Sequence, residues 1–203
     1  MDVFTAVAER RSVKKFDPAH RLSEDEIRRL MEAAVLSPTS FNLQNWRFVL
    51  VTDQARKERL REIGWRQAQF AEASLIVLVC GDRKAHARDP GRYWRHAPEA
   101  TRAGIVAAIV GAYEGHEARQ HDEVLRSGGM AAQTIMLAAR AMGYDTCPMV
   151  GFDFAAAAEL VNLPPDHEIV MALAVGRRRE DPRPRGGQLP LDEVVIRERF
   201  PDA

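Results

Sequence analysis

No stretch of this sequence stays apolar for the roughly 20 residues that a bilayer-spanning helix needs, which argues against a helical membrane protein. Neither sign of charge is in excess, with 29 Lys and Arg against 29 Asp and Glu. The chain therefore carries no overall field to draw it to nucleic acid or an anionic membrane, and any anion site has to be local. Met1-Asp2-Val3-Phe4 lacks the basic-then-apolar order of a secretory signal, so a cytoplasmic location is expected. Cysteine is scarce: Cys80 and Cys147 stand far apart and are expected to be reduced thiols rather than a disulfide. The six histidines and two cysteines show no HxxxH or CxxC spacing, so no metal site is indicated. A G-x-G-x-x-G turn is also missing, which removes the main support for a doubly wound dinucleotide-binding fold.

What is present is an interleaving of helices with few, short strands. Val3, Phe4 and Val7 recur at helical spacing over residues 2–9, so a short helix delivers Arg10-Arg11-Ser12 at its end. Ser23 with Glu26 three residues later is a capping box, opening a helix whose stripe is Ile27, Leu30, Met31, Ala34 and Val35. Pro38 stops it. Trp46–Val51, Leu75–Cys80, a short run near Thr146 and Ile169–Val175 read as strands, the second and last as fully covered ones. Asp53 and Asp153 are helix caps, and residues 82–98 form a polar excursion that includes Tyr93 and Trp94. Residues 101–114 and 122–142 are two long helical patterns. The second is apolar around most of its circumference, which suits a domain centre or a subunit interface, and Gly143 ends it. From Gly176 onward the Arg/Pro/Gly-rich chain reads as an extended arm unable to form a compact element by itself. Residues 1–203 are expected to be one domain of α+β class, with a central sheet wrapped by helices and 176–203 as the arm.

Two polar clusters stand out against this frame: Arg10-Arg11-Ser12-x-Lys14-x-Phe16 and Ser37-Pro38-Thr39-Ser40-x-Asn42-x-Gln44-x-Trp46. Guanidinium groups offer rigid bidentate donors for phosphate, and the amides and hydroxyls suit the edge of a flat heteroaromatic ring. Taken singly, the first reads as a solvated basic helix end and the second as an ordinary helix-terminating loop. Three more features follow in order: Gln67-x-Gln69 before Ala73-Ser74, Pro148-Met149-Val150-Gly151-Phe152, and Arg183-Pro184-Arg185. With all five in sequence, the chain resembles the FMN-dependent nitroreductase family over essentially its whole length. It departs from the pattern at Asn45, where proline often precedes the tryptophan, and at Val150, where some members carry an acidic residue.

That resemblance implies a mostly antiparallel sheet flanked by helices, and a homodimer whose C-terminal arms are exchanged and whose FMN molecules lie at the interface. It implies that Arg10 and Ser12, with the Arg11 backbone, lie near the FMN phosphate and ribityl chain, and that Lys14 approaches the pyrimidine edge of the ring. Pro38, Thr39, Ser40 and Asn42 would come from the other subunit, Gln67 or Gln69 would bond the ribityl or pyrimidine edge, and Arg183 and Arg185 would clamp the phosphate. The segment Pro148, Met149, Val150 and Gly151 would approach flavin N5, and Phe41 would stack on the substrate. Arg177–Arg179 are left as solvated tail, Asp166 and His167 as turn residues, and Tyr93 and Trp94 as either pocket gates or packing residues. The implied activity is ping-pong hydride transfer from NAD(P)H through FMN to a nitroaromatic, quinone or related small-molecule acceptor, with no protein nucleophile or base. A dehydrogenase or dehalogenase on the same scaffold, or a non-catalytic flavin-binding dimer, is the alternative.

Overall fold

Strand β2 (Leu75–Asp82), buried along its whole length, is the axis around which a computed structural model organises residues 1–200; the last three residues of the expected arm lie outside the described residues. It is flanked by β1 (Trp46–Val51) on one side and by β4 (His167–Gly176) and then β3 (Asp145–Met149) on the other, in the order β1-β2-β4-β3. All three pairings are antiparallel. The strands form where β-branched residues are dense, since their restricted side chains pack well on a pleated surface.

The period-2 alternation of β2 assigns its two faces. Ile76, Leu78 and Cys80 join Ala172 and Ala174 of β4 in one core, covered by Leu60, Phe70 and Ala157. These come from α3 (Gln54–Ile63), α4 (Ala68–Glu72) and α7 (Phe154–Leu160). Leu75, Val77 and Val79 face the opposite core with Leu173 and Val175, covered by α2 (Glu24–Ala34) and α6 (Glu117–Ala141). A register shift between Val79 and Cys80 moves the partner from Met171 to Ile169, so Ile169 and Val170 keep to opposite cores past the bulge. Each face of the sheet thus has its own helical layer.

Local signals explain the helix ends. Ser23 and Glu26 close both bonds of the capping box at α2, and Asp53 and Asp153 cap α3 and α7 as expected. The 25-residue α6 begins five residues before the expected start at Asp122 and buries one face through Val124, Ala131, Ile135 and Ala139. It runs close to the sheet because glycines stand at the crossings. A Cβ on Gly128 would lie 2.7 Å from Val170, and one on Gly81 would lie 2.4 Å from Val124. The polar excursion holds two short 3-10 turns, Ala85–Ala87 and Pro90–Trp94. Tyr93 and Trp94, half-buried, pack with Leu43, Ile109 and Tyr113 against α5 (Glu99–Tyr113).

The first part of the tail is tied to the body of its own chain. Residues 177–185 do fold back: Arg178 bridges Phe16 in antiparallel fashion, and Arg179 N–H donates to Lys15 O at 3.0 Å. Arg178 pairs with Asp181 at 3.1 Å and Arg179 with Glu72 at 3.7 Å, so these arginines are not free tail. Ion pairing and backbone hydrogen bonds hold a segment whose apolar content is too low to hold itself. Beyond it, a single turn α8 (Leu191–Val194) leaves Leu189, Leu191, Val194 and Phe200 exposed. Cys80 and Cys147 are both free and buried. Among the described residues no helix is long and apolar enough to cross a membrane.

Candidate functional site

Helix α1 (Val3–Glu9) stops at Arg10, whose N–H closes the last turn on Ala6 O at 2.9 Å before the backbone turns extended. Ser12 then bridges Thr146 in parallel, and Val13 N–H donates to Thr146 O at 3.0 Å. Val13 and Phe16 are buried, and Ser12, Lys14 and Lys15 are exposed. The folded-back tail forms the facing wall. The Arg185 guanidinium donates to Ala8 O at 2.9 Å and Arg10 O at 3.1 Å, and Arg11 donates to Arg183 O. Between the two walls lies a 630 Å³ cleft lined by Arg10, Arg11, Ser12, Lys14, Lys15, Arg183 and Arg185. Glu180 and Asp181 also line it, Asp181 already paired with Arg178. One nitrogen of this set, Arg10 Nη1, is buried without an acceptor. A guanidinium N–H withdrawn from water and left unbonded is costly, and the donor set around it matches a phosphoryl oxyanion.

The row of candidate residues continues along β3, at the sheet edge. Lys14 Nζ lies 3.5 Å and Gln69 Nε2 3.9 Å from Cys147 Sγ, so both side chains converge on a buried thiol. Gln69 is itself buried, whereas Gln67 caps nothing and reaches over to Gly151 O at 2.6 Å and Gly64 O at 3.2 Å. Pro148 and Met149 lie in the strand, Met149 buried, while Val150 just beyond it is 63% exposed. A Cβ on Gly151 would come within 3.2 Å of the Trp65 ring, which lets backbone and indole approach closely. Trp65 (φ 53°) and Arg66 (φ 62°) before Gln67 hold left-handed backbone, unusual for bulky residues.

The second cluster lies elsewhere in the chain. Ser37 Oγ bonds Thr134 Oγ1 of α6 at 2.9 Å, Ser40 N–H donates to Glu123 Oε1 at 3.1 Å, and Gln44 N–H donates to Thr39 Oγ1 at 3.0 Å. Asn42 Nδ2 donates to Tyr93 O at 3.1 Å, and Trp94 Nε1 to Phe41 O at 2.9 Å. Phe41, Asn42 and Gln44 have φ of 51°, 56° and 44°. Such strain persists where the surroundings over-determine it, often at functional loops. Pro38–Asn42 sits on the α6 side of the sheet and contributes nothing to the 630 Å³ cleft. The structure therefore gathers Arg10, Arg11, Ser12, Lys14, Arg183 and Arg185 in one place, with Gln67, Gln69 and Pro148–Gly151 continuing the row. It keeps Pro38, Thr39, Ser40, Phe41 and Asn42 apart from them.

Sequence reasoning missed Glu123. It is buried at the start of the apolar stripe of α6, where its carboxylate also accepts from Ser127 Oγ at 2.7 Å. An acid four residues before a serine on a buried helix face was the available signal. Burial pushes the neighbouring Tyr113 phenol up, a trend that its hydrogen bond with Ser40 opposes. The one metal-like grouping among the described residues, Asp82, Asp166 and His167, is already occupied by cationic side chains. Arg88 Nε lies 3.0 Å from Asp82 and also pairs with Asp166. His167 Nδ1 meets Asp166 at 2.7 Å, and that bond holds the Asp166 carboxyl below its ordinary range.

Comparison with known proteins places these features in context. The model of the Nitroreductase family matches residues 7–177. Protein DrgA of Synechocystis sp. is 49% identical over 200 residues, covering 96% of this chain and 95% of that one. MhqN of Bacillus subtilis, provisionally named an NAD(P)H nitroreductase, is 33% identical over 201 residues, covering 93% and 95%. Among solved structures, a nitroreductase-type protein from Exiguobacterium sibiricum, crystallised in complex with FMN, superposes with a TM-score of 0.88 at 30% identity. That match covers 97% of each chain.

Proposed function

Because the chain belongs to the nitroreductase family, we propose that it is an FMN-dependent oxidoreductase that passes hydride from NAD(P)H to nitroaromatic, quinone or related acceptors. The observation that carries this reading is the cationic cleft with its buried, acceptor-less Arg10 Nη1. The residues fit the cofactor: guanidinium and ammonium groups for the phosphate, and Ser12 with Gln67 for the polyol and ring edge. When bound, FMN supplies the two-electron chemistry of a ping-pong exchange between reductant and acceptor.

The chain's own residues do the rest. Arg10, Arg183 and Arg185 would hold the phosphate with the Arg11 backbone beside it, and Ser12 would bond the ribityl chain. Lys14 would set a positive charge at the ring's pyrimidine edge, where it stabilises negative charge. Gln67 or Gln69 would orient the ring, and the backbone of Met149–Gly151 would offer it an N–H donor. No side chain is needed as nucleophile or base.

The second cluster completes the site from a second copy of the chain. Pro38, Thr39, Ser40 and Asn42 line the ring from across the interface, and Phe41 stacks on the acceptor. Two features support a homodimer: the separation of the clusters within one chain, and the exposed apolar residues Phe4, Leu36, Leu191 and Phe200. Exchange of the arm is assigned to residues beyond 185, since 177–185 are bonded to their own chain. The reading takes residues 1–203 as one domain in the cytoplasm, where the free Cys80 and Cys147 stay reduced.

The test is direct. Purified protein is expected to be yellow, to release FMN on denaturation, and to oxidise NADH or NADPH when menadione or a nitroaromatic is supplied. Colourless protein that gains no flavin absorbance when FMN is added refutes the reading.

A further inference from the structure

A second cavity, apart from the cationic cleft, has no role in the scheme above. It encloses 290 Å³ between β1 and the Pro90–Trp94 turn and is lined by Gln44, Trp46, Arg47, Arg92, Tyr93 and Arg95. Three guanidinium groups and no carboxylate face it. Arg47 is fixed in the wall, with Nη1 donating to Gln44 O at 2.9 Å and Trp46 O at 2.8 Å, and Nη2 3.5 Å from Asp82. Arg92 and Arg95 have no ion-pair partner among the described residues. Arg92 rests over the Tyr93 ring at 5.7 Å, and Arg95 Nε touches His96 at 3.3 Å.

The floor is more telling. Trp46 is 7% exposed, and its Nε1 is buried with no acceptor. Buried indole N–H groups ordinarily find a partner, and this ring lines a cavity whose other walls carry three guanidinium groups beside the Gln44 amide and the Tyr93 hydroxyl. An anionic oxygen supplied from outside satisfies the indole and both free arginines together.

We propose that this pocket takes a phosphate group of the pyridine-nucleotide reductant, an inference that rests on the oxidoreductase reading above. Its volume admits a phosphate with part of its sugar and excludes a whole dinucleotide, whose remainder has to extend elsewhere. Its position is suitable. Asn42 Nδ2 bonds Tyr93 O and Trp94 Nε1 bonds Phe41 O, so the turn that carries Arg92 and Arg95 is tied to the loop whose Phe41 is assigned to the acceptor. A nucleotide whose nicotinamide enters beside Phe41 finds its anionic end met by these arginines. Arginine suits the task because its planar fork grips phosphate bidentately.

Two phosphates of the reductant share this chemistry, the 2′-phosphate of NADPH and the pyrophosphate of either nucleotide. Calorimetric titration of the flavin-loaded protein with adenosine 2′,5′-bisphosphate and with ADP-ribose separates them, alongside KM values for NADPH, NADH and menadione. The variants are R92A/R95A, both positions being exposed, and W46F, which keeps a ring against Phe48 but removes the N–H. R92A/R95A is expected to retain its flavin and its melting temperature while nucleotide affinity falls at least about tenfold, the loss of one charge-assisted hydrogen bond. W46F is expected to weaken the same ligands by a smaller factor. Selective loss of the bisphosphate and of NADPH assigns the 2′-phosphate; equal loss of ADP-ribose, NADPH and NADH assigns the pyrophosphate. The proposal is overturned if the parent binds neither probe, if R92A/R95A binds both within twofold of the parent, or if only the menadione KM moves. A protein that binds the probes through these residues but oxidises neither nucleotide keeps the pocket and loses the oxidoreductase reading.

Discussion

Replacing Glu123 should damage the site from a distance, and the structure sets the size of the effect. Glu123 is 6% exposed, and its carboxylate accepts from the Ser40 amide at 3.1 Å and from Ser127 Oγ at 2.7 Å. Glu123→Ala removes both acceptors at once. Hydrogen bonds to a charged group are worth about 1.5–3 kcal/mol each. The Ser127 hydroxyl can recover part of its loss on the helix carbonyl four residues back. The net cost is therefore about 2–4 kcal/mol, which for a chain of this length lowers the melting temperature by roughly 4–16 °C. Glu123→Gln keeps a carbonyl oxygen in place and should cost about 1 kcal/mol. Because the Ser40 amide anchors the left-handed loop at 41–44, Glu123→Ala should also weaken flavin retention, read by fluorescence titration of the stripped protein. Ser127→Ala should not, since Ser40 keeps its acceptor. Scanning calorimetry at fixed protein concentration supplies the first number. A melting temperature for Glu123→Ala within 1 °C of the parent, or equal effects of the Ala and Gln variants, refutes the anchor.

Three further expectations are open to measurement. Arg10→Ala should weaken FMN binding about 10- to 100-fold while leaving riboflavin, which has no phosphate, almost unchanged, because one charge-assisted contact is lost; equal losses for both flavins would place Arg10 away from the phosphate. The Tyr144 phenol donates to Glu26, and chiefly through that bond the Glu26 carboxyl is lowered from 4.5 to about 2. Its folded value lies below its unfolded one, so the stability it contributes is full above pH 4.5 and is lost as pH falls toward 2. Tyr144→Phe should flatten the acid limb of a stability–pH curve across that window, and an unchanged slope would dismiss the pairing. On α6, Gly128→Ala should destabilise by about 1–3 kcal/mol, because its Cβ meets Val170 at 2.7 Å. Gly129→Ala, with nothing within 4 Å, should gain up to about 1 kcal/mol of helix propensity; urea midpoints that fail to move in opposite directions contradict that packing.

The parts of the fold legible in the sequence were those whose cause is local. The capping box at Ser23 and Glu26, the Asp53 and Asp153 caps and the runs that became β1 and β2 depend on residues a few positions apart. The start of α6 was hidden because its first turns, from Glu117 to Asp122, are polar and carry no apolar stripe. The pairing of the arginines at 178 and 179 was hidden because two of their partners, Glu72 and Asp145, lie far away in sequence, and only Glu180 and Asp181 are near. At the site, the cluster at 10–14 and the pair at 183 and 185 were named from motifs, and the fold brought them to one cleft. The convergence of Lys14 and Gln69 on Cys147 was beyond reach, since no spacing encodes a meeting of three segments. Nor did the loop at 41–44 advertise its left-handed backbone, which the sequence usually signals with glycine and here builds from Phe, Asn and Gln.

The cleft also has a history within each molecule. Its walls are residues 10–15 and 180–188, clasped by an Arg185 bond that spans 175 positions to Arg10. At ordinary rates of synthesis the first wall leaves the ribosome roughly 10–35 s before the second exists. During that interval the arginines at 10 and 11 are solvent-borne charges on an unfinished chain, with no enclosure to favour a phosphate over any other anion. Selectivity at this cleft is therefore acquired late, and a cofactor can be captured there only by a chain that has already been made through residue 188.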